Sequence, residues 1–485
     1  MLSNRRTLVV LLVCAALTLS VFSSASAAGF AAARFGGERG NPTEGNPTAI
    51  YYNPAGLALG EGFQLTLDTN FVYRSASYRR PVSSVSPNQG GDADRQAAAV
   101  AVNSGEATLS NFLFSPMIGL SYNFKRDLNI PLGIGLGLYF PFGGQAVWDE
   151  QEGDERFPGS ADGPQRWFTI DGVIRTMAIS AGLAYTIEPL RLSLGLSFNY
   201  YKSEIDTVRA RISAGEDRIE AGNPPTLLEG RAWLTGESTD IGLGAGLIWE
   251  AIEDRMWIGF SYQSRPGFDG KLTLEGELAQ TLGNGEPGID PAYTTQQMPD
   301  IFRLGFRFRP SADFELRLFG DYTRWGNFES QCVVNSELLG DRDVYDYCRF
   351  NADGSSVTGD TPAIITNIPR DWHDAFGIRA GVSYWFNPRF ELLAGLGYDG
   401  SAIPSSTLEP ALIDAPKISA SLGVRIEVVR QLALMVTATN IYFVERDTTG
   451  NPTGTARALP TKQPNSAGVY NQNFLLLGTN LELRF

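Results

Sequence analysis

Along much of this chain, apolar and polar residues alternate with a period of two. Between Leu192 and Tyr201, one face carries Leu192, Leu194, Leu196, Phe198 and Tyr200, and the other carries Ser193, Gly195, Ser197, Asn199 and Tyr201. This is the pattern of a strand whose apolar face meets lipid and whose polar face meets a lumen, with aromatics near one interface. Ile134, Leu136 and Leu138 alternate with Gly133, Gly135 and Gly137; Ile241, Leu243, Ala245, Leu247 and Trp249 alternate with Gly242, Gly244, Gly246 and Ile248. Small residues on an inward face either leave lumen space or let another segment pack closely against the wall. A soluble β-sandwich alternates too, so the choice between them rests on the connections and the chain ends.

The pattern predicts strands near residues 63–79, 105–124, 130–143, 171–188, 190–206, 231–250, 255–275, 299–310, 313–326, 372–386, 389–400, 416–429, 431–446 and 473–485. Some links between them are very short, such as Asp127–Asn129, Glu188–Pro189, Asn387–Pro388 and the region of Arg430. Others are long and rich in Gly, Pro, Asp and Asn: 80–104, 144–168, 207–230, 277–298, 327–370 and 447–470. Short periplasmic turns alternating with long external loops belong to an outer-membrane barrel. The expectation is an all-β, transmembrane, antiparallel β-barrel of about 14 strands, with both termini on one side. Residues 28–62 do not fit a strand. Their glycines and prolines, interrupted by short Ala-rich runs, describe a compact turn-rich segment. It is either a plug inside the barrel or a periplasmic tail.

The chain ends agree with export. Arg5 and Arg6 precede an apolar run from Thr7 to Val21, followed by Ala25-Ser26-Ala27, a secretory signal with its small-residue cleavage site. Cys14 lacks the small residue before it that a lipoprotein site wants. The reading is residues 1–27 as signal peptide, 28–62 as hatch or plug, and 63–485 as barrel. No later stretch reaches the ~18 apolar residues of a membrane-spanning helix, and a membrane protein without such helices must close its strands into a barrel. The terminal Phe485, on an alternating strand, resembles the signal read by the barrel assembly machinery.

Composition narrows the function. The formal net charge is -14, and loss of residues 1–27 removes two arginines and no acid, giving -16. That argues against nucleic acid, whose phosphates need a basic surface, and suits acidic external loops. Cys332 and Cys348 are then the two remaining cysteines. A close pair in one loop of an exported protein is a disulfide candidate. Nothing supports catalysis: the single histidine, His373, has no serine tied to it. No cofactor and no metal are expected, since the cysteines lack zinc-type spacing and an accompanying histidine.

The whole chain resembles the FadL family, outer-membrane transporters of long-chain fatty acids and aromatic hydrocarbons. The resemblance rests on Ala28-Gly29-Phe30, on Asn53-Pro54-Ala55 after Tyr51-Tyr52, and on Tyr139-Phe140-Pro141-Phe142-Gly143-Gly144. Further on come Met298-Pro299-Asp300, Trp325-Gly326-Asn327-Phe328 and Trp372-His373-Asp374. Most specific is Gly397-Tyr398-Asp399-Gly400-Ser401-Ala402-Ile403-Pro404 with Pro410-Ala411-Leu412-Ile413-Asp414. The resemblance implies a monomer in the bacterial outer membrane, among outer-membrane lipids and lipopolysaccharide. It also implies a hatch in the lumen, a pocket beside it, and passive, hatch-gated diffusion of a hydrophobic ligand with lateral exit at a kinked third strand. Phe30, Asn53, Pro54 and Ala55 become hatch and gating candidates, and Pro141, Phe142 and Gly143 the kink. Pro141 cannot donate to a ladder, so it either kinks the strand or ends it. Arg209 and Arg211 either pair with a fatty carboxylate or offset nearby acidic residues. The alternative function is a structural or adhesive barrel whose loops bind partners.

Overall fold

The computed structural model describes residues 34–86, 92–212, 217–221, 226–267, 270–281, 285–341, 343–349, 351, 357, 363–450 and 463–485. The proposed signal peptide and Phe30 lie outside these residues.

Fourteen strands form the wall. They are β1 (Gly62–Arg80), β2 (Gly105–Asn123), β3 (Leu132–Val147), β4 (Asp171–Ile187), β5 (Leu192–Arg211), β6 (Gly230–Ile252) and β7 (Met256–Gln263). After these come β8 (Ile301–Ser311), β9 (Phe314–Thr323), β10 (Ala375–Asn387), β11 (Phe390–Asp399), β12 (Lys417–Val429), β13 (Leu432–Phe443) and β14 (Val469–Arg484). Each pairs antiparallel with its sequence neighbour, and β14 returns to β1 from Gln64↔Arg484 to Arg79↔Val469, closing the barrel. Closure leaves no strand of the wall without a neighbour on either side, as lipid requires.

The alternation sorts as the sequence predicts. Leu194, Leu196, Phe198, Ile241, Leu243 and Leu247 face outward and are exposed, while Ser193, Ser197 and Asn199 are buried within. Exposed aromatics gather near both ends of the belt: Tyr185, Trp249, Phe386 and Phe485 at the short-turn rim, and Tyr200, Tyr322, Phe376 and Tyr442 toward the long loops. The short turns need left-handed residues, and Asn129 (φ 56°) and Arg191 (φ 50°) supply two of them.

The long loops hold more regular structure than their composition suggests. Residues 255–275 are not one strand: β7 stops at Gln263, and Thr273–Gln280 pairs with the upper part of β6. Gly288–Thr295, Ser330–Asn335 and Ile364–Pro369 add three more strands to this extension, inside segments expected to be loops. Above the membrane both faces of a strand can be polar, so the apolar alternation that marks the wall is lost there. A helix, Ala93–Ala101, also lies within an expected loop, capped by Asp92 accepting from the Arg95 amide. Buried ion pairs bind this external layer: Arg80 with Asp217 at 2.7 Å and Arg166 with Glu229 at 3.0 Å.

Residues 34–61 run inside the barrel rather than below it. They carry three short helical turns, Gly37–Arg39, Ala49–Tyr52 and Pro54–Ala58, and every residue of the last two is buried.

Candidate functional site

The glycines of the wall are where this inner segment seats. A Cβ at Gly133 would collide with the Leu57 carbonyl, one at Gly195 with the Pro54–Ala55 peptide, and one at Gly137 would lie 2.6 Å from an Ile50 methyl. Asn53 is 1% exposed and uses its whole amide. Its Nδ2 donates to the carbonyls of Pro42 (2.8 Å), Leu247 (3.0 Å) and Phe260 (3.3 Å), and its Oδ1 accepts from the Ala55 amide (3.1 Å). Leu247 and Phe260 belong to β6 and β7, so one side chain ties the hatch to two wall strands. Gly246 leaves the space that this amide fills. Pro54 starts the following turn, and Ala55 is buried against Gly195. At a helical start Pro forfeits no hydrogen bond.

One interface in the wall is incomplete. The β2–β3 ladder runs from Asn123↔Gly133 to Met117↔Tyr139 and stops, although both strands continue. The next residue up β2 is Pro116, and β3 continues through Phe140 to Pro141. Two prolines, neither with an N–H, therefore face the same break. On its other side β3 stays paired to β4, with a register shift between Tyr139 and Phe142 that marks one extra residue. Pro141 thus kinks β3 without ending it. The strands meet again higher up. Asn111 Nδ2 donates to the Val147 carbonyl (2.9 Å), the Val147 amide donates back to Asn111 Oδ1 (3.0 Å), and the Asp149 amide reaches the Thr108 carbonyl (2.9 Å). Between these two closures β2 and β3 share no ladder bond. Phe112, 80% exposed, stands on the outer rim of the gap, and Leu113 is buried on the inner side.

Directly inside the displaced part of β3 is a cavity of about 100 Å³. Gly143 through Ala146 border it, with Ile174, Ile205, Leu234 and Val333 as apolar walls. Four guanidiniums line it, those of Arg74, Arg209, Arg211 and Arg370, against one carboxylate, Glu409. Arg370 donates to Glu409 at 2.6 Å and also to Gln331. With its amide turned, Gln463 bridges Arg209 and Glu409 at 3.0 Å each. Arg211 reaches the Ile365 carbonyl at 3.4 Å, while its Nε and Nη1 have no hydrogen-bond partner among the described residues. The site therefore has cationic capacity to spare, and uncompensated buried cations favour an anion. Phe142 is buried and meets Trp325 edge-on at 6.4 Å; Trp325 in turn packs on Trp372 at 4.9 Å.

The residues singled out in the sequence thus fall in three places. Asn53, Pro54 and Ala55 form the seat. Pro141, Phe142 and Gly143 form the kink. Arg209 and Arg211 line the cavity. Cys332 and Cys348 are joined, with Cα atoms 5.6 Å apart, in the external extension. His373 is exposed at the start of β10. Among the described residues no group of three or more His, Cys, Asp or Glu could hold a metal. Sequence reasoning missed Pro116, Arg74 and Arg370. A proline inside an otherwise alternating stretch was a readable signal for the first; the other two are arginines that only the fold brings to the cavity.

The protein family described as outer membrane protein transport protein (OMPP1/FadL/TodX) matches residues 13–485. The long-chain fatty acid transport protein of Escherichia coli O6:H1 is 23% identical over 252 residues, covering 48% of this chain and 51% of that protein, so the match spans about half of its length. A putative outer membrane protein of Neisseria meningitidis serogroup B is 20% identical over 82% of this chain and 80% of its own. Among solved structures, a Pseudomonas aeruginosa FadL homologue superposes with a TM-score of 0.70 at 15% identity, covering 95% of this chain and 98% of its own. The Ralstonia pickettii toluene transporter TbuX gives 0.58 at 15% identity, covering 96% and 100%. The chain belongs to the OMPP1/FadL/TodX family of outer-membrane transport proteins.

Proposed function

We propose that this member of the family carries an anionic amphiphile of the long-chain fatty acid class across the bacterial outer membrane and releases it sideways through the β2–β3 gap. The observation that carries the reading is the adjacency of an arginine-lined apolar cavity and a break in the wall, with Gly143–Ala146 bordering both. The cavity walls take an acyl chain, and a guanidinium with free N–H groups takes a carboxylate in a charge-assisted pair. A neutral aromatic hydrocarbon would leave those donors unpaired at a cost. On this ground a fatty acid is favoured over the toluene named for the Ralstonia protein. Lateral release suits such a cargo, because the acyl chain passes from protein into lipid without crossing water.

In this reading residues 34–61 act as the hatch, pivoting while Asn53 stays seated. Lipopolysaccharide surrounds the external half. Phe485, exposed at the periplasmic rim, carries the signal for the barrel assembly machinery. A structural or adhesive barrel would need neither the cavity nor the gap. Uptake of labelled oleate and of toluene by cells with and without the gene tests the function. Oleate uptake should depend on the gene, and no difference for either compound would refute transport. Deleting residues 28–40 should change uptake while heat-modifiable barrel mobility is retained; unchanged uptake would remove the hatch from the mechanism.

A further inference from the structure

Arg74 holds the gap from inside. It stands on β1 directly opposite Asn111 of β2, and its guanidinium passes across the inner face of β2 to donate from Nη1 to the carbonyl of Gln145 on the displaced part of β3. Its Nε donates to Gln472 at 2.9 Å, and its head lies 5.8 Å from the Phe474 ring centre. The residue is 7% exposed, lines the cavity, and makes no ion pair among the described residues. A buried cation held only by neutral acceptors is a strained choice for a purely structural strut, since a buried charge is ordinarily paired. Asn111 supplies a second bridge one step higher, to Val147.

We propose that Arg74 is a ligand-sensing latch that makes opening of the β2–β3 gap conditional on an anionic head group. The inference rests on the carboxylate reading given above. Bonded to the Gln145 carbonyl, Arg74 fastens residues 143–147 toward β2. A carboxylate entering the cavity is the better acceptor, because charge-assisted hydrogen bonds are about twice as strong as neutral ones. Arg74 turns to it and lets go of the Gln145 carbonyl. Gly143 and Gly144 then allow the freed stretch to move, which widens the gap beside the acyl chain. A molecule of the same shape without the charge binds the apolar walls but leaves the latch closed.

The test uses the full-length protein in lipid vesicles and compares transfer of oleate with that of methyl oleate, each corrected for protein-free vesicles. One exchanged charge-assisted hydrogen bond predicts that the wild type transfers the acid about tenfold faster than the ester. Arg74→Gln should bring the two rates together, chiefly by raising that of the ester, whereas Arg74→Lys should keep a preference for the acid. Backbone hydrogen exchange over residues 143–148 adds a readout that a mere strut would not move. It should quicken on adding oleate to the wild type, and be fast without ligand in Arg74→Gln. A folded Arg74→Gln protein that keeps the wild-type ratio and ligand-dependent exchange would overturn the latch. So would a wild type that transfers the ester as fast as the acid, although transport itself would then stand. A wild type that transfers neither would instead refute the proposed function.

Discussion

Toward β3–β7 the hatch meets bare backbone, whereas toward β8–β14 it meets charge. On the first side glycines let Ile50, Leu57 and the Pro54–Ala55 peptide lie directly on the wall, and Asn53 bonds to the wall's own carbonyls. On the second side Arg39 pairs with both Glu44 (2.7 Å) and Glu391 (3.5 Å), Arg307 with Glu44 (3.5 Å), and Arg34 with Asp399 (3.6 Å). Glu391 and Glu482 share Arg425 in turn, at 3.9 and 2.8 Å. Backbone contact of the first kind fits in one position or not at all. Ion pairs with several alternative partners can be exchanged one at a time. The comparison predicts that the hatch pivots on its glycine side and moves on its charged side, which leaves the seat beside the kinked strand undisturbed.

The largest effect should come from the charged side. Glu44→Ala takes from Arg307 its ion pair and leaves Arg39 with Glu391 alone, in a site where Glu44 is 4% exposed, and breaking a buried pair this way costs about 3–5 kcal/mol. Thermal unfolding should fall, and hydrogen exchange should rise over residues 36–48 more than over 49–59. Equal loosening of both stretches would erase the distinction. Next, Gly195→Val forces a side chain against the Ala55 peptide and should cost about 3 kcal/mol, the upper part of the overpacking range. Here exchange should rise first over residues 53–58, and a variant as stable as the parent would contradict the close seat. Asn53→Ala should cost about 2 kcal/mol, because two wall carbonyls lose their donor. A full-strength seat in that variant would show the amide to be incidental.

The smallest effect lies outside the hatch. Arg166 and Arg231 hold the Glu229 carboxyl below the usual carboxylate range although burial alone would raise it. Its contribution is therefore fully present above the unfolded value of about 4.3 and is lost as pH falls through the lower folded value. Exchange over residues 152–168 should stay protected from neutral pH to about that value and rise only below it, with no change over residues 49–59. Loosening of the hatch at the same pH would mean that the external layer and the seat open together.

Much of this architecture could be read from the chain, for reasons that differ by region. Within the membrane each wall residue faces either lipid or lumen, so the alternation at Leu192–Tyr201 translates into a strand without ambiguity. The inward glycines at 133, 135 and 137 were legible as small residues, but whether they bordered empty space or a packed segment depends on residues about eighty positions away. Pro141 and Pro116 each say only that a donor is missing; that they face one another is a matter of register. Where water replaces lipid the code weakens, and the strand Gly288–Thr295, with Asp290 and Pro291 in it, reads as loop. The cavity was the least legible part. Arg74, Arg209, Arg211 and Arg370 come from three distant stretches, and no local pattern marks an arginine that turns inward.

Lateral release is tested most directly by fastening the gap shut. Register from the Asn111–Val147 closure sets Leu113 of β2 against Gln145 of β3, so Leu113→Cys combined with Gln145→Cys can be joined by a short bismaleimide while the bonded Cys332–Cys348 pair stays inert. Oleate transfer into vesicle lipid should fall by at least about tenfold on crosslinking, the loss expected from adding only some 1.4 kcal/mol to the exit barrier, while oleate binding is retained. Transfer through the crosslinked barrel at the rate of the uncrosslinked double variant would contradict exit between β2 and β3.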